Sequence, residues 1–378
     1  MIQPVRRRDV LKAISAGALF AGVSGCVASP RTHAKKYPRS YSHGPFLAPD
    51  VSMDNVIRVI VGHRPYRPAG FRVEREQFDA KTVVHNYGHG GGGISLAWGS
   101  SALALREILG QTPTKAAVIG SGIMGLTNAR LLQDAGWQVT LYTREIARHT
   151  TSNIAAGEWS PFSTHDPAVS SDDFKQKLQW AARVSHHAYT NLGGSDYGVR
   201  WLENYELNDS PESTAVDPMF KDLFPHQATL GPGEHPFPTR YAHRFLTMHF
   251  DPGMLLRRLV QDFQLAGGKL VIRNFADRSE VLSLEESTIF NCTGLGAAQL
   301  FGDQALTPIK GQLVFLPPDP AIDYATFGGG EGMLHMFPRT DVVLLGGIYR
   351  IGDASRNVEP EETERIVTEH QRLFASFG

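Results

Sequence analysis

Lys115-Ala116-Ala117-Val118-Ile119-Gly120-Ser121-Gly122-Ile123-Met124-Gly125 is the stretch that decides the fold. A short apolar strand runs into three spaced glycines. A helical run to Ala135 follows, Gly136 stops it, and Gln138 to Thr143 reads as the next strand. Strand, helix and parallel strand in this order form a dinucleotide-binding unit. Gly120 permits the turn, Gly122 lets a diphosphate approach the backbone, and Gly125 lets the helix pack close. The N–H groups of Ile123 and Met124 then belong to a helix N-terminus, which favours an anion. Glu145, beside Arg144, lies about 20 residues beyond Gly125, where a ribose-binding acid is expected. The pattern does not separate NAD from FAD.

A second strand, glycine turn and helix lie upstream. Thr82 to Asn86 is apolar enough for a strand, and Gly88-His89-Gly90-Gly91-Gly92-Gly93 follows it. Ile94, Leu96, Ala97, Leu103, Leu105 and Leu109 then keep a helical spacing. A run with one side chain cannot pack a core. It can bring backbone N–H groups against a flat ring, with a helix N-terminus behind them. Downstream, Thr288 to Asn291 reads as a strand that ends in Asn291-Cys292-Thr293-Gly294, a second crossing at the same cleft. Lys269 to Arg273 and Val342 to Tyr349 are further strands. Residues 173–191, Pro252 to Ala266 with Asp251 as N-cap, and Glu361 to Phe374 after Pro360 are helices.

The bulk properties exclude other classes. The chain has 378 residues with 42% hydrophobic and 20% charged content, enough for two interleaved domains. A formal net charge of −1 gives no field that would gather nucleic acid. The two cysteines, Cys26 and Cys292, form no zinc-type spacing and no disulfide framework. Cys292 sits in an apolar run and reads as a buried thiol. His186-His187 reads as a solvated pair. No metal site is expected, because no third ligand is spaced for one.

The first residues read as an address. Arg6-Arg7-Arg8-Asp9-Val10-Leu11-Lys12 precedes a mildly apolar stretch, Ala13 to Val23, too short to span a bilayer. Arg7 and Arg8 with Leu11 and Lys12 resemble a twin-arginine export signal, which implies a periplasmic or membrane-anchored protein. Val23-Ser24-Gly25-Cys26 resembles a lipobox, so Cys26 is a candidate lipid anchor. The expected boundaries are a signal peptide over 1–28 and a flexible tether over 29–52, rich in Pro, Ser, His and basic residues.

Taken together, several segments resemble the D-amino-acid oxidase family. They are Val118 to Leu126, Ala155-Ala156-Gly157-Glu158-Trp159-Ser160-Pro161, Asn291 to Gly294, Lys310-Gly311-Gln312, Leu345-Gly346-Gly347, Gly62-His63-Arg64-Pro65-Tyr66-Arg67-Pro68 and His85 to Gly93. The resemblance implies an α/β fold: an FAD-binding Rossmann-type domain with a parallel sheet, and a second mixed-sheet α+β substrate domain. It assigns 66–165 and 267–312 to the first, and 53–65, 166–266 and 313–378 to the second. In the family the arginine segment and the His-Gly-Gly run come last; here they come first, as in a circular permutation.

The resemblance also implies roles. FAD is the cofactor, a D-amino acid is the substrate, and the electrons pass to dioxygen to give hydrogen peroxide. Arg64 holds the substrate carboxylate, the Gly91 carbonyl accepts from its amine, and Tyr349 walls the pocket. Gly120, Gly122, Ile123, Met124, Gly125, Arg144, Glu145, Ala156, Gly157, Thr293, Gly294, His89, Gly90, Gly91, Gly92 and Gly93 line the cofactor. His335 stands where the family usually has a tyrosine, and could donate a hydrogen bond to the carboxylate in its place. Glu331 stands near a second family tyrosine, where it would repel acidic substrates. Lys310 is compatible with a basic residue beside the flavin. Two other readings stay open: a dehydrogenase of this fold passing electrons to a membrane acceptor, and a flavin-binding protein without catalysis.

Overall fold

A computed structural model describes residues 45–146, 150–194 and 196–377. Strands β1 (Arg58–Tyr66), β2 (Arg72–Phe78) and β3 (Lys81–Tyr87) precede helix α1 (Gly93–Arg106). Then come β4 (Lys115–Ile119), α2 (Ile123–Asp134), β5 (Gln138–Thr143), α3 (Thr151–Ile154), α4 (Asp172–Asn191), β6 (Val199–Asn208), β7 (Ala228–Leu230), β8 (Tyr241–Phe250) and α5 (Pro252–Leu265). The chain continues through β9 (Lys269–Ile272), α6 (Arg278–Leu282), β10 (Thr288–Asn291), α7 (Gly296–Phe301), β11 (Thr307–Leu316), β12 (Tyr324–Gly328), β13 (His335–Pro338), β14 (Val343–Gly346), β15 (Arg350–Ile351) and α8 (Pro360–Phe374).

The smaller sheet has the order β2-β3-β10-β4-β5-β9. All its neighbours are parallel except the edge pair β2–β3. Its central strand is covered on both faces, as a parallel sheet requires. Ala116 and Val118 pack into the cluster that holds residues of α1 and α2, while Ala117 and Ile119 pack against Phe275, Val281 and Leu300.

The larger sheet runs β1-β11-β14-β13-β12-β6-β8-β7, with β15 also paired to β11. It is mixed, because β12 and β6 pair in parallel while its other pairs are antiparallel. One face, carrying Val314, Met336 and Leu345, packs on Ile366 and Leu373 of α8. On the other face Ile60, Leu313 and Leu344 meet Ile154 and Ala156. Directly paired residues share a face. Gly62 pairs with Gly311, and Gly346 pairs with both Leu313 and His335, so this second face carries three glycines close together beside Arg64.

Several expectations need correction. Residues 45–52 are not a free tether. Phe46 is fully buried, with its ring 5.2 Å from Tyr205 and 6.2 Å from Phe377, because it fills an aromatic gap beneath the large sheet. The signal segment, Cys26 and residues 29–44 lie outside the described residues. The strand expected over 342–349 ends at Gly346 as β14, and β15 is a separate short strand that starts only at Arg350. β2 was not foreseen; its Arg72 reaches Glu74 and Glu76, and that charge hides an edge strand. Asp251 occupies the N-cap position of α5 but does not cap it. Its carboxylate accepts instead from Thr340 N at 3.0 Å and Thr340 Oγ1 at 2.8 Å. His186 is half-buried between Trp159 and Trp201 rather than solvated.

Candidate active site

The dinucleotide turn is built by close backbone approach. Gly120 has φ +104°, and a Cβ there would lie 2.5 Å from the Cys292 carbonyl oxygen. A Cβ on Gly125 would lie 1.7 Å from the Gly120 oxygen, so only glycine lets α2 start this tightly. Gly122 is the N-cap and offers no side chain; Ile123 N–H donates to Ser152 Oγ at 3.0 Å. Met124 Sδ accepts from Ser100 at 3.3 Å. Ser121 Oγ donates to the Glu145 carbonyl at 3.1 Å, which leaves the Glu145 carboxylate to pair with Arg144 at 2.9 Å, partly exposed. The pairing of Asn291 with Ile119 brings the next crossing alongside. There Thr293 N and Oγ1 both donate to Asn291 Oδ1, and Gly294 takes φ +57°.

β3 and β4 both flank β10, so α1 and α2 begin at the same edge of the sheet. Both N-cap residues are glycine, Gly92 and Gly122, so neither helix is capped by its own N-cap side chain. Two helix N-termini with bare glycine N-caps side by side form a positive cradle suited to a diphosphate and an electron-rich ring. The residues present therefore fit FAD.

The glycine run serves a second purpose. Gly90 has φ +54°, and a Cβ there would lie 2.0 Å from Ser163 O. Gly91 N–H donates to that same oxygen at 3.1 Å, and a Cβ on Gly92 would meet Thr164 at 2.5 Å. Much of the bareness of the run is thus used to seat Pro161–Thr164. Gly93 has only distant neighbours. His89 stacks on Phe71 at 4.7 Å and pairs with Tyr66, and burial pushes it down to about 3, so it is uncharged. Gly157, at φ +96°, accepts from Phe250 N at 2.6 Å; Ala156 packs on the second face of the large sheet.

Tyr66, at the end of β1, abuts Gly90 and so carries Arg64 to Gly91. A Cβ on Gly91 would lie 3.8 Å from Arg64 Cδ. The guanidinium lies across Gly311, where a Cβ would stand 2.8 Å from Nη1, and over the Tyr349 ring at 5.6 Å. Nη1 is buried without a partner, and no carboxylate pairs with Arg64 among the described residues. Burial lowers its pKa from the ordinary value, but a guanidinium remains charged. The Tyr349 hydroxyl bonds Ser163 Oγ, and Phe162 meets Phe327 edge-on at 6.3 Å.

Three expected roles change. His335 Nδ1 lies 2.8 Å from the Met333 carbonyl, which can only accept. Nδ1 therefore carries the proton. Burial, with Arg64 nearby, pushes His335 down to about 4. Nε2 is thus a lone pair at neutral pH and cannot donate to a carboxylate. Lys310 pairs with His63, so it faces away from Arg64 and Gly311. It is buried against Ser355 Oγ at 2.7 Å and Glu359, not beside the cleft. Glu331 is exposed, and its carbonyl accepts from Arg365 at 2.9 Å. Sequence reasoning missed Phe162, Ser163 and Phe327. For Phe162 and Ser163 the one local signal was continuity with Ser160-Pro161; Ser163 holds φ +56°, rare without glycine, and Phe327 on β12 gave none.

The DAO family model, FAD dependent oxidoreductase, matches residues 115–378. A D-amino-acid oxidase of Rubrobacter xylanophilus is 27% identical over 265 residues, 68% of this chain and 76% of that protein. A D-amino-acid oxidase of Streptomyces coelicolor is 31% identical over 256 residues, 66% of this chain and 74% of that protein. The crystal structure of glycine oxidase from Geobacillus kaustophilus shares the fold, with a TM-score of 0.53 and 18% identity over 70% of this chain and 80% of that one. With its paired helix starts, its glycine turn and this match, the chain belongs to the FAD-dependent oxidoreductase family, with FAD as its cofactor.

Proposed function

We propose that the protein oxidises the α-carbon of a D-amino acid to give a 2-oxo acid, ammonia and, with dioxygen as acceptor, hydrogen peroxide. The observation that carries this reading is Arg64, a largely buried guanidinium without a carboxylate partner, beside the cofactor cradle. A buried charge left unpaired is costly, so the site is built for a carboxylate that arrives with the ligand. FAD supplies the two-electron acceptor when bound. Arg64 holds and orients the carboxylate, the Gly91 carbonyl takes an amine N–H, the Tyr349 ring walls the pocket, and Phe162 and Phe327 narrow its access to water. The two D-amino-acid oxidases support the choice of substrate hand.

The test is peroxide release by purified protein on panels of D- and L-amino acids, with Arg64→Ala alongside. Peroxide from D-amino acids alone, lost in Arg64→Ala, is expected. Anaerobic bleaching of the flavin without aerobic peroxide would replace oxidase by dehydrogenase. A flavin spectrum that no amino acid changes would refute the reading.

The chain order is proposed to be a circular permutation of the family order. The family match begins at Lys115, after the elements that hold Arg64 and the glycine run. Gln371 of α8 donates to the Val51 carbonyl at 3.0 Å, so the close of α8 lies beside the approach to β1. A chain joined from 377 to 53 by a short linker and opened within 110–114 should fold and bind FAD; insolubility in every linker length would refute this. Export by the twin-arginine route, with lipid on Cys26, is proposed from residues 6–26 alone. Cytoplasmic retention of an Arg7→Lys, Arg8→Lys double variant and loss of labelled fatty acid in Cys26→Ser would test it.

A further inference from the structure

Residues 154–163 arch over the Arg64 face of the large sheet. At one foot, Ile154 Cγ2 lies 3.0 Å from where a Cβ on Gly62 would stand, and Ala156 packs with Leu313 and Leu344. At the other foot, Phe162 meets Phe327 and Ser163 holds the Tyr349 hydroxyl. Glu158 stands at the crown. Its backbone is fixed on both sides: Phe250 N donates to Gly157 O at 2.6 Å, Trp159 N donates to Met248 O at 2.7 Å, and the Glu158 carbonyl accepts from Ser95 Oγ at 3.3 Å. Trp159 turns into the core against Phe224 and His186. Side chains alternate along an extended segment, so Glu158 turns the other way. It pairs across with His249, whose ring is 5.1 Å from Phe337, two residues beyond His335 on the same face.

The Glu158 carboxyl has no hydrogen-bond or ion-pair partner among the described residues. The side chain is only half-buried by area, yet it is deep enough that desolvation alone pushes it up to about 8. Through its pairing with His249 it shares the face of the large sheet that carries His335 and Gly346. The titratable group facing it from β8 is His249, uncharged because burial holds it near 3. From α1 the Ser95 hydroxyl donates to the Glu158 and Ser160 backbone carbonyls.

We propose that Glu158 is the cation-binding group of this site, receiving an ammonium or guanidinium of the substrate while Arg64 holds its carboxylate. This rests on the amino-acid reading above. Alone, the carboxyl keeps its proton at neutral pH. A cation brought against it favours the ionised form, so the carboxyl proton leaves to solvent as the ion pair forms. The cation is either the α-ammonium or a charged side chain.

The experiment uses FAD-loaded protein and isothermal titration near pH ~7, in buffers of different protonation enthalpy. The probes are 4-aminobutanoate and 6-aminohexanoate against butanoate and hexanoate, none of which has an α-amine. With a side-chain cation, at least one amino probe binds ~10- to 100-fold tighter than its parent acid. It releases close to one proton, and Glu158→Gln removes both effects. In turnover, Glu158→Gln then lowers kcat/KM for D-arginine and leaves its neutral isostere D-citrulline unchanged. With the α-ammonium, Glu158→Gln lowers both substrates equally and moves the pH profile of kcat/KM. FAD content and thermal midpoint of the variant exclude misfolding. If Glu158→Gln alters neither probe binding, nor proton release, nor either substrate, the proposal is overturned. Proton-linked probe binding without turnover of any amino acid would instead overturn the oxidation reading and leave the cation site standing.

Discussion

Gly311→Ala adds one methyl group beneath Arg64, the residue proposed to hold the substrate carboxylate. Gly311 lies in β11 opposite Gly62, and its backbone is not in the left-handed region. Alanine meets no local strain there. The new Cβ would lie 2.8 Å from Arg64 Nη1 and 3.4 Å from Cζ and Nη2. Comfortable carbon–nitrogen contact needs roughly 3.5 Å or more, so the guanidinium must lift by something near 1 Å. A misplacement of about 1 Å in a positioning group costs ~100-fold, or about 2.7 kcal/mol of transition-state binding. Folding stability should change by no more than about 1 kcal/mol, because the lost chain entropy of glycine favours alanine while the added methyl crowds the site. The assay is kcat/KM for the best D-amino acid, with FAD content and thermal midpoint measured on the same sample. A variant that keeps its FAD and stays within about threefold of the parent would refute the reasoning. Either Arg64 does not rest on Gly311, or it does not hold the substrate.

Gly346→Ala would place a Cβ 2.1 Å from His335 Nε2, so it should destabilise the protein by ~1–3 kcal/mol in urea unfolding, and His335→Ala should recover most of that loss in the double variant. Phe46→Ala should cost ~3–5 kcal/mol, since the ring is fully buried; a cost under about 1 kcal/mol would restore the free tether. His85, His89, His249, His335 and His370 are all held well below the ordinary histidine value by burial, at about 3 to 4. The unfolded chain binds more protons between those values and 6.5, so stability falls as the pH drops through that window. Each contributes a loss of roughly 1 kcal/mol between about pH 7 and about pH 5.5. Glu158, raised to about 8, has the opposite sign and offsets roughly 2 kcal/mol over the same range, so the histidines prevail and the urea unfolding free energy falls on acidification. A protein equally stable at both pH values would contradict the buried, uncharged histidines.

What could be read from the chain alone was whatever local backbone chemistry dictates. The turn at Gly120, Gly122 and Gly125 works through positive φ and close approach within a few residues, so its letters suffice. Arg64 was legible through the prolines and aromatic around it. Lys310 and Gly311 show where that legibility ends. The two are adjacent, and one slip of register exchanges their faces. Only the pairing of Gly311 with Gly62 puts the bare position under the guanidinium and sends the lysine to Glu359. His335 was read as a possible donor because its letter permits either role. The Met333 carbonyl, two residues away in sequence but set by the bend before β13, decides which nitrogen holds the proton. Glu158 stood only as one letter of a family-like segment, since what distinguishes it is the absence of a partner, a property of its whole surroundings. Residues that shape their own backbone are visible in one dimension. Residues defined by what faces them become visible only after strands have been paired, and in this protein the groups that should choose the substrate are of the second kind.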